Sequence, residues 1–464
     1  MTVISRTEKN PQMASIQEIN ISNLSKLLEE NKENTGILKH ILEKLGRLPN
    51  DYNPDVLIKL TYNKNAEVRQ LAVKNLGKLH SDNLMDIYKF IATHDKSTLV
   101  RREAVSSLGR MRSYSAVDFL LSMLNEKDPK ILMQVIRALL VFKGNSQVDD
   151  ALRRLQKHEN EMVSSVIERA YSTSKKTVAT IAHTETYEWL KDVIVNCDVR
   201  DAIRLVPSDS IHLTFTSPPY YNARDYSIYE SYDAYLNFLE EVFKETHRIT
   251  KEGRFLIVNT SPVIVPRISR AHSSKRYAIP FDLHARLVNN GWEFIDDIVW
   301  KKPEYSVKNR IGGFQQHRKP LGYKPNAVTE YLMVYRKKTD KLLDWNMHQY
   351  NLDTIESSRV DYGYESTNVW EIAPKSDKVH SAVFPVELCR RVISYYSYKG
   401  DIVFDPFAGS GTLGRTAKSM DRFFFMTEKE PIYFDYMKSF VGKHTTDDRE
   451  THFMSLEQFN SIIP

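Results

Sequence analysis

Two stretches of the chain place reactive atoms at the ends of apolar runs. In "LTFTSPPYYNARDY", residues 213–226, the run breaks at Pro218 and Pro219 and continues with Tyr220 and Tyr221. Neither proline has a backbone donor and each fixes its own φ, so a strand must end there in a stiff, extended turn. In "DIVFDPFAGSGTLGRT", residues 401–416, Asp405 follows a second apolar run, and Pro406 and Phe407 lead into Gly409, Ser410, Gly411 and Thr412. The glycines let the backbone turn tightly beneath a ligand before a helix that Thr412 opens. The spacing is not that of a dinucleotide fingerprint, and no lysine follows as a triphosphate-binding loop requires. A third run, "RFFFMTE", ends in Glu428 roughly twenty residues beyond the turn, where a carboxylate suits a ribose with free hydroxyls. Together these residues ask for a nucleoside-like cofactor without a demanding phosphate cradle.

In this order the motifs resemble those of the DNA amino-methyltransferases that modify the exocyclic nitrogen of cytosine or adenine. The similarity is to their circularly permuted beta class, in which the catalytic motif precedes the cofactor loop. Here "TSPPY" (216–220) comes first and "DPFAGSGT" (405–412) comes last. The segment "NCDVRDAIRLVPSDSIHLTF" (196–215) resembles the family's acidic turn before the catalytic strand, and "VWKK" (299–302) and "HSAVFPVEL" (380–388) resemble two further family segments. The resemblance spans residues 190–440 in round terms. It departs from the family pattern at Leu413 and Gly414 after Thr412, and at Cys197, which stands where a glycine commonly precedes the acidic Asp198.

The resemblance implies an α/β methyltransferase fold with a mostly parallel seven-stranded sheet, S-adenosylmethionine as methyl donor and double-stranded DNA as substrate. It implies that Asp405 meets the methionine amine, Glu428 the ribose and Asp198 the adenine amino group. Pro406, Phe407, Gly409, Ser410, Gly411 and Thr412 would form the cofactor loop, with Phe384 and Pro385 walling the pocket. Thr216, Ser217, Pro218, Pro219 and Tyr220 are the implied catalytic set. A base inside a duplex must be rotated out before its amino group can reach a cofactor. Tyr220 would stack on that base, an interaction of ~1–3 kcal/mol in single-strand binding. The Ser217 hydroxyl and the Pro218 carbonyl would accept the two amino protons, which orients the nitrogen lone pair and stabilises the charge that grows on it. Tyr221, Asn222 and Asp225 are expected to shape the loop over the base, with Tyr221 on a neighbouring nucleotide, and His380 to be a local hydrogen-bonding residue.

Within the family "TSPPY" leans toward the N4 of cytosine rather than the N6 of adenine. The implied setting is a restriction-modification or related defence system with a partner endonuclease. Methylation of a ring carbon would need a covalent thiolate. Cys197 precedes Asp198 and Cys389 sits inside a helical pattern, so neither suits that role. An RNA or protein amino-methyltransferase and a non-catalytic nucleic-acid-binding protein stand as the alternative readings.

The elements that must position these residues follow from the hydrophobic pattern. From residue 186 to 464 apolar runs of strand length at 210–216, 253–259, 292–300, 330–336, 401–407 and 422–428 alternate with amphipathic helices such as 233–249 and 385–397. That alternation predicts a mostly parallel sheet with its ligand outside the carboxyl ends of the strands. Two polar insertions, 303–327 and 340–375, look least like core and are expected to recognise DNA, with Arg310, Gln315, Gln316, Arg318 and Lys319 as candidate contacts. Before this lies a repetitive part, residues 1–170, in which "EVRQLAVKNLGKL" (67–79) is answered by "LVRREAVSSLGRM" (99–111) and more weakly by Leu132, Ile136 and Leu140. Steps of four and three place these residues on one helical face, and a period of roughly thirty residues resembles HEAT-like repeats. The polar stretch 171–185 reads as a linker.

Composition constrains the rest. Lys plus Arg exceed Asp plus Glu by 65 to 59, a net charge of +6 spread over 464 residues, so a polyanionic partner is compatible but local placement decides. Arg101, Arg102, Arg110 and Arg112 recur at repeat positions that the apolar face does not need; two readings stand, contacts along a DNA backbone, or arginines that solubilise a stack whose surface binds a protein partner or braces the catalytic domain. No apolar segment approaches the ~20 residues that span a bilayer. The amino-terminal stretch does not read as a secretory signal, and two distant cysteines fit a reducing compartment, which points to the cytoplasm.

Overall fold

The computed structural model describes residues 24–49, 51–171, 181–221, 229–265, 269, 271–272, 274–375, 383–441 and 449–464. The chain divides into two compact units, Met1–Lys175 and Lys176–Pro464. Among the described residues no helix is long and apolar enough to cross a membrane.

The first unit is built of short helices whose starts are written locally. Asn34, Asn65, Asp128 and Asn145 each precede a helix and accept a hydrogen bond from a backbone N–H of its first turn, satisfying donors that the helix cannot. The repeated apolar positions form one core: Val68, Ala72 and Leu76 meet Val100, Ala104 and Leu108, then Leu132 and Ile136. Two glycines set how closely successive helices approach. A Cβ on Gly77 would lie 2.5 Å from Ser107 Oγ, and one on Gly109 would lie 2.8 Å from Ala138 Cβ. Arg69 clamps Asp95 with two bonds of 2.8 Å, tying neighbouring repeats together.

The second unit is a nine-stranded sheet. In chain order its strands are β1 (Val193–Asn196), β2 (Ile211–Thr216), β3 (Thr250–Thr260), β6 (Trp292–Lys301), β7 (Thr329–Lys337), β8 (Val369–Glu371), β9 (Ile402–Asp405), β10 (Phe423–Glu428) and β11 (His452–Ser455), while β4 (Val263–Val265) and β5 (Lys275–Tyr277) pair separately. Their spatial order is β11-β1-β10-β9-β2-β3-β7-β6-β8. A core of seven strands is thus flanked by the short edge strands β11 and β8. From β11 through β3 all pairings are parallel, β7 runs antiparallel to both β3 and β6, and β8 is parallel to β6.

The late strands β9 and β10 lie between the early strands β1 and β2. Leu213 and Thr214 pair with Val403 and Phe404, Met426 pairs with Asp405, and Asn196 pairs with Glu428. This register brings the carboxyl ends of all four strands to one edge. β2 and β9 are buried at every position, as strands covered on both faces must be.

The amino ends of the same strands enclose a buried charge. Arg254 of β3 donates Nε to the His212 carbonyl at 3.1 Å and pairs through Nη2 with Asp401, which is fully buried at the start of β9. Tyr350 and the backbone N–H of Tyr398 also donate to Asp401. Burial opposes ionisation of Asp401, but the Arg254 guanidinium and the Tyr350 hydroxyl outweigh it and hold the carboxyl below its ordinary range. His212 accepts from the Ile402 N–H through Nδ1 and faces the His183 carbonyl through Nε2, and burial pulls its pKa down to about 3, so it is the neutral Nε2–H tautomer.

Much of the second insertion belongs to this end. Asn346 bonds the Gly253 carbonyl at 2.9 Å, Tyr350 reaches Asp401, and Ser358 accepts from the Lys399 N–H. Residues 340–358 therefore brace the amino ends of the strands, away from the edge where β2 and β9 finish. The expectation that the whole of 340–375 recognises DNA is corrected accordingly.

Asp401→Ala leaves Arg254 buried and unpaired and should lower the stability of the second unit by about 3–5 kcal/mol, the cost of breaking a buried ion pair from one side. Denaturant unfolding followed by tryptophan fluorescence checks this, because all five tryptophans lie beyond residue 175. Helical signal from the first unit should melt as in the unaltered chain.

Candidate active site

The carboxyl ends of the strands enclose a cavity of about 560 Å³, within the range of small-molecule sites. Its wall draws on each strand end in turn: Asp198 after β1, Ser217–Tyr220 after β2, Asp405–Ser410 after β9 and Glu428–Glu430 after β10. Asn259 of β3, Trp300 and Lys302 at the end of β6, and Glu330 at the start of β7 complete it. The proline-tyrosine turn and the glycine turn therefore share one chamber.

Thr216 joins the two. Its hydroxyl is buried and donates to Asp405 Oδ1 at 2.7 Å, and the Phe407 N–H donates to the same oxygen at 3.0 Å. Expected in the catalytic set, Thr216 is instead a positioning residue, because its one donor is used on Asp405. Burial pushes the Asp405 carboxyl up to about 6, against the two hydrogen bonds that favour its ionised form. Glu428 is similar. Its Oε2 accepts from the Gly409 N–H at 2.7 Å and its Oε1 from the Glu430 N–H at 2.8 Å, yet burial raises it to about 7. Among the described residues neither carboxylate forms an ion pair with a lysine or arginine.

The two glycines of the turn act differently. Gly409 takes φ 54° and presents its N–H to Glu428. Gly411 takes φ 73° and packs away from the cavity, where a Cβ would lie 2.8 Å from Met437 Sδ and Val441 Cγ2. Gly411 shapes the turn without lining the chamber, a correction to its expected place among the cofactor contacts. Ser410 and Thr412 line it and bond each other at 3.1 Å. Pro406 and Phe407 also line it, and Phe407 packs on Phe238 at 5.9 Å between centroids, so it serves both wall and core. Phe384 forms a further wall and stacks on Phe215 at 4.6 Å, whereas Pro385 caps the helix Val386–Tyr396 from outside the chamber.

Asp198 is more committed than expected. It caps the helix Val199–Leu205 by accepting from the Arg200 N–H, and its two oxygens accept from the Arg200 guanidinium at 3.0 Å each. Burial raises its pKa, but these bonds outweigh burial and keep it ionised below its ordinary range. Cys197 also lines the chamber, but burial pushes its thiol up to about 12. Cys389 is fully buried with its pKa raised by burial, so both cysteines are held as neutral thiols.

After the prolines, neighbouring tyrosines part company. Tyr220 lines the chamber, donates its hydroxyl to Glu330 Oε2 at 2.9 Å and bonds the Ser217 side chain. Burial holds its phenol neutral, with the pKa well above the ordinary value. Tyr221 is buried against Tyr232, Tyr235 and Tyr277, with centroids 4.8–5.6 Å apart. It is a core residue, which corrects its expected contact with DNA. Asn222, Asp225 and His380 lie outside the described residues.

Glu330 lines the chamber at a position that the motifs do not mark. It accepts from Tyr220 through one oxygen and pairs with Lys302 through the other, while Lys302 lies 4.6 Å above the Trp300 ring. The signal available was a single acid opening the apolar run "EYLMVYR", whose partners stand 110 and 28 residues away. Lys302 and Glu330 also form the stem of the first insertion, where the Lys302 N–H donates to the Val328 carbonyl at 2.7 Å. Beyond that stem Arg310, Gln315, Gln316, Arg318 and Lys319 are all exposed, on and beside the helix Gly312–His317.

Comparison with known proteins agrees with this geometry. Residues 211–439 match the family model described as DNA methylase, and residues 89–172 match that of HEAT repeats. The Type II methyltransferase M.Cfr9I of Citrobacter freundii is 29% identical over 297 residues, covering 57% of this chain and 92% of the relative. The orphan methyltransferase M.BamHII of Bacillus amyloliquefaciens is 30% identical over 267 residues, covering 51% of this chain and 91% of the relative. Among solved structures, a putative DNA modification methylase from Thermus thermophilus, complexed with S-adenosyl-L-methionine, shares 24% identity with a TM-score of 0.47, covering 57% of this chain and 98% of that one. With its strand ends gathered on one chamber and nearly the whole length of such relatives matched, the chain belongs to the DNA methylase family.

Proposed function

We propose that the chain transfers a methyl group from S-adenosylmethionine to the exocyclic N4 amino group of a cytosine rotated out of duplex DNA. The observation that carries this is the pair of buried carboxylates, Asp405 and Glu428, beside Ser217–Tyr220 in a single chamber. A buried carboxylate without a protein cation is costly, and an ammonium, a sulfonium and ribose hydroxyls are groups that relieve that cost. The donor set thus fits S-adenosylmethionine, which when bound supplies an activated methyl group.

The chain's own residues then divide the work. Asp405, fixed by Thr216 and the Phe407 N–H, holds the amino group of the cofactor, and Glu428 its ribose hydroxyls. Asp198 offers the lone pairs left by Arg200 toward the adenine edge. Phe384, Pro406 and Phe407 exclude water. On the base side, the Ser217 hydroxyl and the Pro218 carbonyl accept the amino protons, and Pro219 stiffens the turn that carries them. Tyr220, neutral and tethered to Glu330, lies along the base. Lys302 supports cytosine over adenine: beyond the ring nitrogen next to the amino group, cytosine presents a carbonyl oxygen, where adenine presents a C–H. The exposed cations and amides of 303–327 contact phosphates and base edges. The setting that fits is modification alongside a restriction endonuclease in the cytoplasm, where both cysteines stay reduced.

Three outcomes test the reading. Nucleosides digested from DNA methylated by the protein should contain N4-methylcytosine by mass and chromatography; N6-methyladenine alone would reverse the choice of base.

Asp405→Asn should weaken S-adenosylmethionine binding about ten- to a hundredfold, the loss of one charge-assisted bond of about 1.5–3 kcal/mol. In the unaltered protein the ionised carboxylate is the binding form. Affinity should therefore fall as pH drops through about 6, and Asp405→Asn should flatten that part of the profile. Calorimetry across pH measures both.

Glu330→Gln should lower the methylation rate constant by about a hundredfold, the scale on which a misplaced reacting group acts. Cofactor affinity should stay within about twofold, because Glu330 holds Tyr220 and not the glycine turn. Single-turnover kinetics and calorimetry separate the two effects.

A further inference from the structure

The helical unit carries a feature that the catalytic chemistry does not use. Three successive repeats end a helix with the same pattern: Leu45-Gly46-Arg47-Leu48, Leu76-Gly77-Lys78-Leu79 and Leu108-Gly109-Arg110-Met111. The leucines anchor each turn in the core, since Leu45, Leu48, Leu76, Leu79 and Leu108 are all buried. Close approach at Gly77 sets the stacking, for a Cβ there would lie 2.9 Å from Arg110 Nη2 as well as against Ser107. At Gly77 this approach sets Arg110 beside Lys78. Arg47, Lys78 and Arg110 line one open groove of about 340 Å³, together with Gly46, Gly77 and His80.

The row is fixed from beneath. Lys78 Nζ donates to the carbonyls of Leu45 and Gly46, and Arg110 is steadied by Ser107 at 2.9 Å and by Glu103 at 2.8 Å. Burial, and then the charges of Lys74 and Arg110, lower the pKa of Lys78, so two cations lie near it, with Glu103 on Arg110 as the acidic neighbour. Arg47 is exposed at one end of the row, and Arg112, also exposed, takes the left-handed conformation that closes its helix without lining the groove. By contrast Arg101, expected on this surface, points its guanidinium at the Ala92 carbonyl and Glu126, and Arg102 has a buried Nε. Neither belongs to the row.

We propose that the groove lined by Arg47, Lys78 and Arg110 binds the sugar-phosphate backbone of duplex DNA outside the methylated site. A wall that places a cation at three successive repeats, Arg110 among them shared with Glu103, fits a ligand that repeats its own negative charge. The step between stacked helices, about 8–10 Å, equals the rise of roughly two to three base pairs along the duplex axis. The occupant follows from the reading of the chain as a DNA methylase, on which this inference rests. Such contacts hold the protein to DNA without choosing a sequence.

The test uses the full chain and two duplexes carrying the same methylated site, one of about one helical turn and one of about four. Dissociation constants are measured against salt for the unaltered protein, for Arg47→Gln, and for Arg47→Gln with Arg110→Gln. Each phosphate contact contributes about 0.9 to the slope of log K against log salt. On the long duplex the slope should fall by about 1 for the single variant and about 2 for the double, while the short duplex shows no change and the set of methylated sites is preserved. Arg47→Gln alters an exposed side chain, and an unchanged melting curve confirms the fold. Equal slopes for all three proteins on the long duplex would overturn the proposal. Methylation of the short duplex by the unaltered protein separates the two readings: if it occurs while the slopes are equal, the groove assignment alone has failed, and if no DNA is methylated, the underlying reading has failed.

Discussion

The hydrogen bond from Thr216 to Asp405 joins the ends of two strands whose residues stand 189 apart in the chain. It ties the proline-tyrosine turn to the glycine turn across one chamber, at the edge where the sheet register has brought both. The bond runs to a carboxylate and is buried, and a buried donor and acceptor leave each other only at a cost. It works because β9 is inserted beside β2 in the sheet, with Leu213 and Thr214 in register with Val403 and Phe404. The amino ends of the same strands are secured by Arg254, Asp401 and His212, so both ends of the β2–β9 pair are fixed and the register has little room to slip.

Two aspartates, one just before β9 and one at its end, show how one strand can serve stability at one end and chemistry at the other. Asp401 and Asp405 are both buried, and burial alone would raise both. Asp401 faces a guanidinium and ends below its ordinary range; Asp405 faces a hydroxyl and an amide and ends near 6. The signs of their contributions differ. Asp401 adds stability above the ordinary aspartate range and loses it as pH falls through its depressed value. Asp405 adds stability when protonated and loses it as pH rises through about 6. Near neutrality the unliganded chamber therefore holds a carboxylate that the fold itself has not neutralised, a deficit that a cationic ligand removes on binding.

Much of this is legible in the amino-acid sequence alone. The prolines, the glycine turn and Glu428 point to a nucleoside-like ligand because backbone chemistry at Pro and Gly is local, and local constraints are written in sequence. The central strands are legible for the same reason, since burial on both faces turns them into continuous apolar runs. The edge strands β8 and β11 are not, because three or four residues paired along one side carry little pattern. Tyr220 and Tyr221 look alike in sequence, yet consecutive residues of extended chain point to opposite sides, and only one side faces the chamber. Glu330 is invisible there because its meaning lies in its partners. Asp198 is marked by its motif, but its capping of the next helix and its clamp on Arg200 depend on a neighbour two residues on that the motif does not mention.

The first insertion leaves the sheet at the end of β6 and returns at the start of β7, two antiparallel neighbours already bonded along their length. Its stem is closed by the Lys302 N–H on the Val328 carbonyl, so the ends of the loop are held by the sheet and not by what lies between them. The closure entropy of such a loop grows only with the logarithm of its length, about 0.6 kcal/mol for each doubling. Residues 303–327 can accordingly be lengthened, shortened or replaced with little penalty to folding, while Tyr220 and the chamber beneath stay in place. A fold arranged this way is a chassis: the hairpin tip between β6 and β7 can be rewritten over evolutionary time while the strands that carry the chamber stay as they are.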